Sequence, residues 1–130
     1  MKKADKEIQS LNMPWEEEYG YAQAVKKGNT VWISGQLGHD DKGTLAEGMD
    51  AQTFLTYSNI KKILDSYQMS MDDVVEEVIY VTDMSSGFAA RKKCGRQFYH
   101  NSKRIASTIV VVDGLALPGK LIEIKIVASL

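Results

Sequence analysis

Cysteine and long apolar runs are scarce in this sequence, and each scarcity excludes a class of protein. The one cysteine, Cys94, cannot form an internal disulfide, so we expect an intracellular protein located in the cytoplasm. No apolar run approaches the length that a membrane-spanning helix requires. Residues 1–7 are mostly charged and are followed by no apolar core, so we expect no signal peptide.

The sequence also lacks an excess of charge of either sign. It has 16 Lys and Arg residues against 17 Asp and Glu residues, which gives a net charge of -1. A nucleic-acid-binding surface needs a concentrated basic excess, so we expect no nucleic-acid partner. One of the two histidines, His39, is followed directly by Asp40 and Asp41. Because adjacent residues cannot easily converge on one ion, we predict a structural loop here, with no metal and no cofactor.

The composition, with 44% hydrophobic and 25% charged residues, is that of a globular protein, and we predict one domain over residues 1–130. The stretch from Thr30 to Gly38 is its centre. It begins as a β-branched and aromatic strand and then breaks into the small polar step Ser34-Gly35-Gln36. Gly35 lacks a Cβ, so it marks either a β-bulge or a point where a ligand comes close to the backbone.

Hydrophobic periodicity predicts two helices and five strands. In chain order they are a strand over 19–25, a turn over 26–29, a strand from Thr30, a helix over 50–67, a strand over 74–84, a helix over 88–100, and strands over 106–112 and 121–128. Residues 1–12 are predicted to be a loose arm or a short edge strand, and residues 14–18 an irregular segment. The order β-β-α-β-α-β-β predicts an α+β fold, with two helices on one face of a mixed sheet.

The last predicted strand alternates between isoleucines and charged residues. Side chains of a strand alternate between the two faces of a sheet, so Glu123 and Lys125 share one face, opposite the isoleucines. If the isoleucines face the helices, Glu123 lies on the uncovered face. That face also carries Trp32 and Tyr80, and it is too apolar to leave in water. We therefore expect a symmetric oligomer.

We make separate predictions for three residues in or at the end of the second predicted helix. Cys94 lies within a cluster of Arg and Lys residues, which would lower the pKa of its thiol, but no partner base is evident and a structural thiol is favoured. Gly95 in mid-helix indicates close packing or the approach of a ligand. His100 is expected at the C-terminal end of this helix, where a cation is favourable.

Several short motifs, in this order and at this spacing, resemble the Rid (YjgF) family, which older usage labels endoribonuclease L-PSP. They are Tyr21-Ala22-Gln23-Ala24-Val25, Gly28-Asn29, Ser34-Gly35-Gln36-Leu37, Ala51-Gln52, Asp72-Asp73-Val74-Val75, Phe88-Ala89 and Ile122-Glu123-Ile124. The resemblance implies a chorismate-mutase-like fold. It also implies a homotrimer whose sheets line a central barrel, with small-molecule clefts at the subunit interfaces.

The resemblance further implies the hydrolysis of enamines and imines to a carbonyl compound and ammonia. In that chemistry a carboxylate orients or deprotonates the attacking water, and an arginine holds the substrate carboxylate. By position, Glu123 matches the catalytic glutamate and Tyr21 matches the pocket tyrosine. Ser34 and Gly35 fall in the pocket-wall motif, and Ser107 is expected to shape the same substrate-binding pocket.

Departures from the family pattern concern the substrate-binding residues. The substrate-holding arginine is Ala106 in this chain, and an asparagine of the second helix is Lys92. Arg104 is predicted to share a strand face with Ala106 and is one candidate replacement for the arginine. The segment over 113–119 is longer than usual.

These departures leave three functions to compare. The first is an imine deaminase with an altered substrate, and the second is a non-catalytic trimer that binds a small molecule in its interface clefts. The third, a ribonuclease, is disfavoured by the charge balance.

Overall fold

The computed structural model describes residues 5–130, in which six strands form one mixed sheet. The strands are β1 (Glu7–Gln9), β2 (Ala24–Lys27), β3 (Thr30–Gln36), β4 (Val74–Val81), β5 (Ala106–Val111) and β6 (Ile122–Ser129). The helices are α1 (Pro14–Tyr19), α2 (Met49–Ser66) and α3 (Met84–Phe98), with short 3₁₀ turns at Met71–Asp73 and Ser102–Arg104. The predicted α+β class is confirmed.

The strand order across the sheet is β1-β2-β3-β6-β4-β5. β4 and β5 run parallel, and the other neighbouring pairs are antiparallel. The last strand of the chain therefore lies at the centre of the sheet, between β3 and β4. β5 lies at one edge with a single neighbour.

Helices α2 and α3 pack against one face of the sheet, as predicted. Ile122, Ile124 and Ile126 of β6 are fully buried in the core on that side. Glu123 and Lys125 alternate with them and therefore lie on the opposite face. We call this opposite face, which also carries Trp32, the outer face.

In its first half, helix α2 buries polar residues where hydrophobic periodicity predicts apolar ones. Phe54 is exposed, whereas Gln52, Thr53 and Thr56 are buried. The two threonine hydroxyls donate to the carbonyls one turn earlier, which satisfies their hydrogen-bonding groups within the helix. Gln52 instead contacts neighbouring loops, through the carbonyl oxygens of Ala46 and Gly119.

Residues 14–19 form α1, so the predicted irregular segment and the predicted strand over 19–25 are both wrong in part. Pro14 stands at the first helical position and Gly20 ends the helix with φ 88°. A proline at the start and a glycine at the end are the expected signals of a helix. The alternation after Tyr19 instead favoured a strand, so these signals were missed. β2 begins only at Ala24 and runs through Lys27, which leaves Gly28-Asn29 as the turn.

Helix α3 begins at Met84, four residues before the predicted start. Asp83 caps it, because its carboxylate accepts from the backbone N–H of Ser86 at 2.9 Å. The helix ends at Phe98, so His100 lies beyond it and not in its last turn. The prediction for His100 is therefore wrong.

Of the N-terminal residues 1–12, residues 7–9 form the edge strand β1, and residues 1–4 lie outside the described part. Within residues 5–130, no helix is both long and apolar enough to cross a membrane.

Candidate functional site

A cavity of about 380 Å³ opens beside β3 and β6 on the outer face. Four of the seven predicted site residues line it: Tyr21, Ser34, Gly35 and Glu123. The other lining residues are Trp15, Tyr19, Leu37, Ala116, Leu117, Lys120 and Lys125. One carboxylate, two ammonium groups and three aromatic rings therefore surround the same space.

Gly35 lies directly against the Glu123 carboxylate. The register between β3 and β6 shifts between Ile33 and Gln36, so the predicted bulge is present. A Cβ added to Gly35 would collide with Oε2, Cδ and Cγ of Glu123. The bulge, one of the two predictions for Gly35, is thus present, and the group that comes close to its backbone is this chain's own carboxylate. The approach of a ligand stays a prediction.

Lys120 is the direct partner of Glu123. Its Nζ donates to Glu123 Oε1 at 2.5 Å, and its side chain is only 4% exposed, against 28% for Glu123. The strand alternation predicted only that Glu123 shares a face with Lys125, and Lys120 was missed as its partner. A lysine three residues before the glutamate was the available signal, but a loop residue can point in any direction.

Gln52 of α2 fixes the loop that carries Lys120. Its Nε2 donates to the carbonyl oxygens of Gly119 and Ala46, at 2.9 and 3.0 Å. Its Oε1 accepts from the backbone N–H of Leu121 at 2.8 Å. The side chain of Gln52 therefore holds the backbone on both sides of Lys120, which explains why it is buried in α2.

Tyr21, with Tyr19 beside it, forms an aromatic wall of the cavity, and the two rings pack edge to face at 5.8 Å. Burial raises the pKa of the Tyr21 hydroxyl, and the negative charges of Glu16 and Glu123 raise it further. The hydroxyl consequently stays protonated at neutral pH and can donate a hydrogen bond.

Ser34 donates its hydroxyl hydrogen to the carbonyl oxygen of Ala22 at 2.7 Å. The same region is tied to α1 by a chain of amides, in which Gln36 donates to Gln23 and Gln23 donates to Glu16. These bonds position the helix that supplies Trp15 and Tyr19. Ser34 thus has a clear structural role, and its oxygen remains able to accept.

Known proteins of similar sequence align with most of this chain. The model of the family described as Endoribonuclease L-PSP matches residues 14–130. A RutC family protein from Pyrococcus horikoshii is 35% identical over 111 residues, which cover 83% of this chain and 85% of that protein. A RutC family protein from Aquifex aeolicus is 31% identical over 109 residues, which cover 83% of this chain and 86% of that one.

The structural comparisons agree with the sequence comparisons. The crystal structure of RidA from the Antarctic bacterium Psychrobacter sp. PAMC 21119 is similar with a TM-score of 0.84 and 34% identity, covering 99% of this chain and 100% of that one. Rv2704 from Mycobacterium tuberculosis, a member of the YjgF/YER057c/UK114 family, is similar with a TM-score of 0.86 and 28% identity, covering 97% and 100%. The chain belongs to the YjgF/RidA family. The resemblance read from its motifs is therefore confirmed.

Ala106, the position at which the resemblance leads one to expect an arginine, lies far from the cavity. It is exposed on β5, opposite Glu76, whereas Glu123 lies opposite Tyr80. That register puts Ala106 on the outer face, two strands across and four residues along from Glu123, or roughly 16 Å away at ordinary strand spacing. Within one copy of the chain, this position cannot reach a ligand in the cavity.

The two remaining predicted site residues also lie outside the cavity. Lys92 is exposed on α3, where its ammonium lies 5.6 Å from the centre of the Phe88 ring. Ser107 donates its hydroxyl hydrogen to Glu77 Oε2 at 2.6 Å, on the helix side of the sheet. Arg104 belongs to a 3₁₀ turn before β5, so the prediction that it shares a strand face with Ala106 is wrong.

Sequence reasoning missed the cluster around Glu77. This carboxylate is fully buried and accepts four hydrogen bonds, at 2.6 to 2.8 Å, from Tyr57, Tyr99, Arg91 and Ser107. Burial, and then the charge of Glu77, raise the pKa values of the Tyr57 and Tyr99 hydroxyls. The four donors come from α2, α3, β5 and the residue after α3, a convergence that no local pattern indicates.

Two residues of α3 are explained by their surroundings. A Cβ on Gly95 would collide with Nη1 of Arg91, so this glycine leaves room for the guanidinium that pairs with Glu77. Close packing, one of the two interpretations of Gly95, is correct. Burial raises the pKa of the Cys94 thiol and outweighs the lowering by Lys93 and Arg91, so the prediction of a lowered pKa is wrong.

Proposed function

We propose that this Rid protein hydrolyses small reactive imines or enamines to a carbonyl compound and ammonia, with Glu123 orienting the attacking water. The observation that carries the proposal is the Glu123 carboxylate, which enters a cavity of about 380 Å³ through the space that Gly35 leaves open. A carboxylate in a partly apolar cleft is a suitable general base.

The hydrogen bonding of Glu123 fits this role. Its Oε1 accepts from Lys120, so Oε2 is the oxygen available to accept a hydrogen bond from water. The water oxygen adds to the imine carbon and gives a carbinolamine, and a proton passes to the nitrogen. Ammonia then leaves as the carbonyl forms, so the water supplies the carbonyl oxygen. Tyr21, with its raised pKa, can donate a hydrogen bond to the reacting group.

We also propose that the chain acts as a single domain over residues 1–130, without a cofactor, in the cytoplasm and as a homotrimer around a central barrel. Exposed apolar side chains on the outer face and on β5 support assembly, with Trp32 44% exposed and Val111 53% exposed. Ala106 is roughly 16 Å from Glu123 within one copy of the chain. Only a neighbouring copy could therefore bring Ala106, Lys92 or Ser107 beside the cavity.

The second candidate function is a non-catalytic trimer that binds a small molecule in these clefts. The ion pair between Lys120 and Glu123 favours it, because it occupies one of the two carboxylate oxygens that a general base could use. A ribonuclease is disfavoured by the net charge of -1, since binding a phosphate backbone requires a basic surface.

Ammonia release from 2-iminopropionate, generated in situ from alanine by an amino acid oxidase, tests the proposal. Wild type should accelerate it, Glu123→Gln should be slower by about a hundredfold or more, and the exposed control Glu47→Gln should match wild type. If wild type gives no acceleration, or Glu123→Gln retains it, the deaminase assignment is wrong. The cleft would then be a binding site.

A further inference from the structure

The cavity lining carries a net positive charge that the proposed chemistry does not use. Lys120 and Lys125 are its two cations, and Glu123 is its one carboxylate. Apart from Ser34 and Gly35, the remaining lining residues are aromatic or aliphatic. A ligand with one negative charge and a small apolar body would make the occupied cavity neutral, whereas a cationic ligand would increase the imbalance.

The burial and the fixed position of Lys120 are those expected of a ligand-binding residue. Its side chain is almost fully buried, although a lysine normally keeps its ammonium in water. The backbone on both sides is held by Gln52, so the ammonium enters the cavity from a fixed base. A buried cation is costly unless acceptors surround it, and the structure assigns it one acceptor, Glu123 Oε1.

An ammonium has three N–H donors, and the hydrogen bond to Glu123 uses one of them. A ligand carboxylate beside Lys120 would therefore share the ammonium with Glu123. Lys125, which lines the same cavity, would limit the repulsion between the two carboxylates. In this arrangement Glu123 Oε2 stays free for water.

We infer that Lys120 is the residue that binds the ligand's anionic group, and that it makes the cavity selective for small carboxylates with an apolar side chain. This role belongs to a loop residue within one copy of the chain and does not depend on position 106. The inference rests on the proposed function for its catalytic consequence, but anion binding itself can be measured without turnover.

Calorimetric titration with 2-oxobutyrate, a stable 2-oxo acid, and with its neutral methyl ester tests the inference. Wild type should bind the acid more tightly than the ester. Lys120→Met should weaken binding of the acid by about ten- to a hundredfold and leave the ester unchanged. Lys120→Arg should retain most of the preference for the acid, and Lys103→Met, an exposed lysine outside the cavity, should match wild type.

The double variant Lys120→Met/Glu123→Gln separates direct contact from charge neutralisation. If Lys120 touches the ligand carboxylate, the double variant stays as weak as Lys120→Met. If Lys120 only neutralises Glu123, the double variant recovers wild-type affinity, and the inference is overturned. It is equally overturned if wild type shows no preference for the acid. The double variant removes both charges of the pair and so keeps the test available if Lys120→Met does not fold.

The kinetic readout keeps the two proposals distinguishable. With 2-iminobutyrate as substrate, Lys120→Met should raise KM about tenfold or more, whereas Glu123→Gln should lower kcat. Binding of 2-oxobutyrate through Lys120 without any ammonia release would refute the deaminase and leave this inference standing. Ammonia release that depends on Glu123 but shows an unchanged KM in Lys120→Met would refute this inference alone.

Discussion

Two glutamates on neighbouring strands, Glu77 of β4 and Glu123 of β6, show how differently the two faces of one sheet are used. Glu77 lies on the helix side, fully buried, with four donors at 2.6 to 2.8 Å. Glu123 lies on the outer face beside a cavity, with Lys120 as its one donor among the described residues. A carboxylate whose acceptor sites are filled stabilises the fold, whereas one with a free oxygen can take part in chemistry.

Glu16 is a third carboxylate, which resembles Glu77 in its structural role but not in its burial. It is partly buried and accepts from the hydroxyl of Ser10, the backbone N–H groups of Leu11 and Met13, and the amide of Gln23. Like Glu77, it has a structural role, because it ties α1 to Gln23, the residue before β2. Unlike Glu77, it remains in contact with solvent. The number of donors and the degree of burial together separate the three carboxylates.

The largest effect on stability is expected from Glu77→Gln. An amide cannot accept all four hydrogen bonds and leaves the Arg91 charge without its partner, so the free energy of unfolding should fall by about 3 kcal/mol. Urea denaturation at one fixed protein concentration measures it. The adjacent Glu76→Gln, exposed on the outer face, is the matched control and should change stability by less than about 0.5 kcal/mol. Equal losses in both variants would refute the special role of Glu77.

Gly35→Ala should produce the next largest effect, this time on activity. The new Cβ would collide with the Glu123 carboxylate and displace it, and misplacing a catalytic group by about 1 Å can lower kcat by about a hundredfold. Ammonia release measures this change. Gly114→Ala is the control, because a Cβ there meets no heavy atom within 4 Å. If Gly35→Ala keeps wild-type activity, the position of the carboxylate is not critical.

The smallest of these effects should come from Glu16→Ala, at about 1 kcal/mol, the usual value of a helix-capping interaction. Burial alone would raise the pKa of Glu16, but its hydrogen bonds from Ser10, Met13, Gln23 and Leu11 outweigh burial and hold this pKa below its ordinary value of 4.5. The stabilisation is therefore present above pH 4.5 and is lost as the pH falls through the lowered pKa. Urea denaturation at pH 7 and pH 3 should show a smaller difference between Glu16→Ala and wild type at pH 3 than at pH 7. A difference of the same size at both pH values would contradict this account.

The sequence was most informative where a pattern is local. The alternation of isoleucines with Glu123 and Lys125 is a property of one strand, and it predicted correctly which face the glutamate lies on. The α+β class followed in the same way from the periodicity of α2 and of the strands. Family membership followed from short motifs in a fixed order.

The sequence was least informative where distant segments meet. Lys120 reaches Glu123 because Gln52, on a helix far back in the chain, holds the loop on both sides of it. The donors of Glu77 lie on four separate segments. The direction of the Cys94 pKa shift was mispredicted because nearby cations are visible in the sequence, whereas the burial that outweighs them is not. The homotrimer, and any role of Ala106, Ser107 or Lys92, remain predictions.

The most direct measurement is the rate of ammonia release from 2-iminopropionate per folded molecule, compared between Glu123→Gln and Glu77→Gln at a temperature where both variants remain folded. We predict that Glu123→Gln loses about a hundredfold or more of the rate per folded molecule, whereas Glu77→Gln keeps a rate within about threefold of wild type. A wild-type rate in Glu123→Gln, or an equal loss in both variants, would contradict the assignment of chemistry to the outer face.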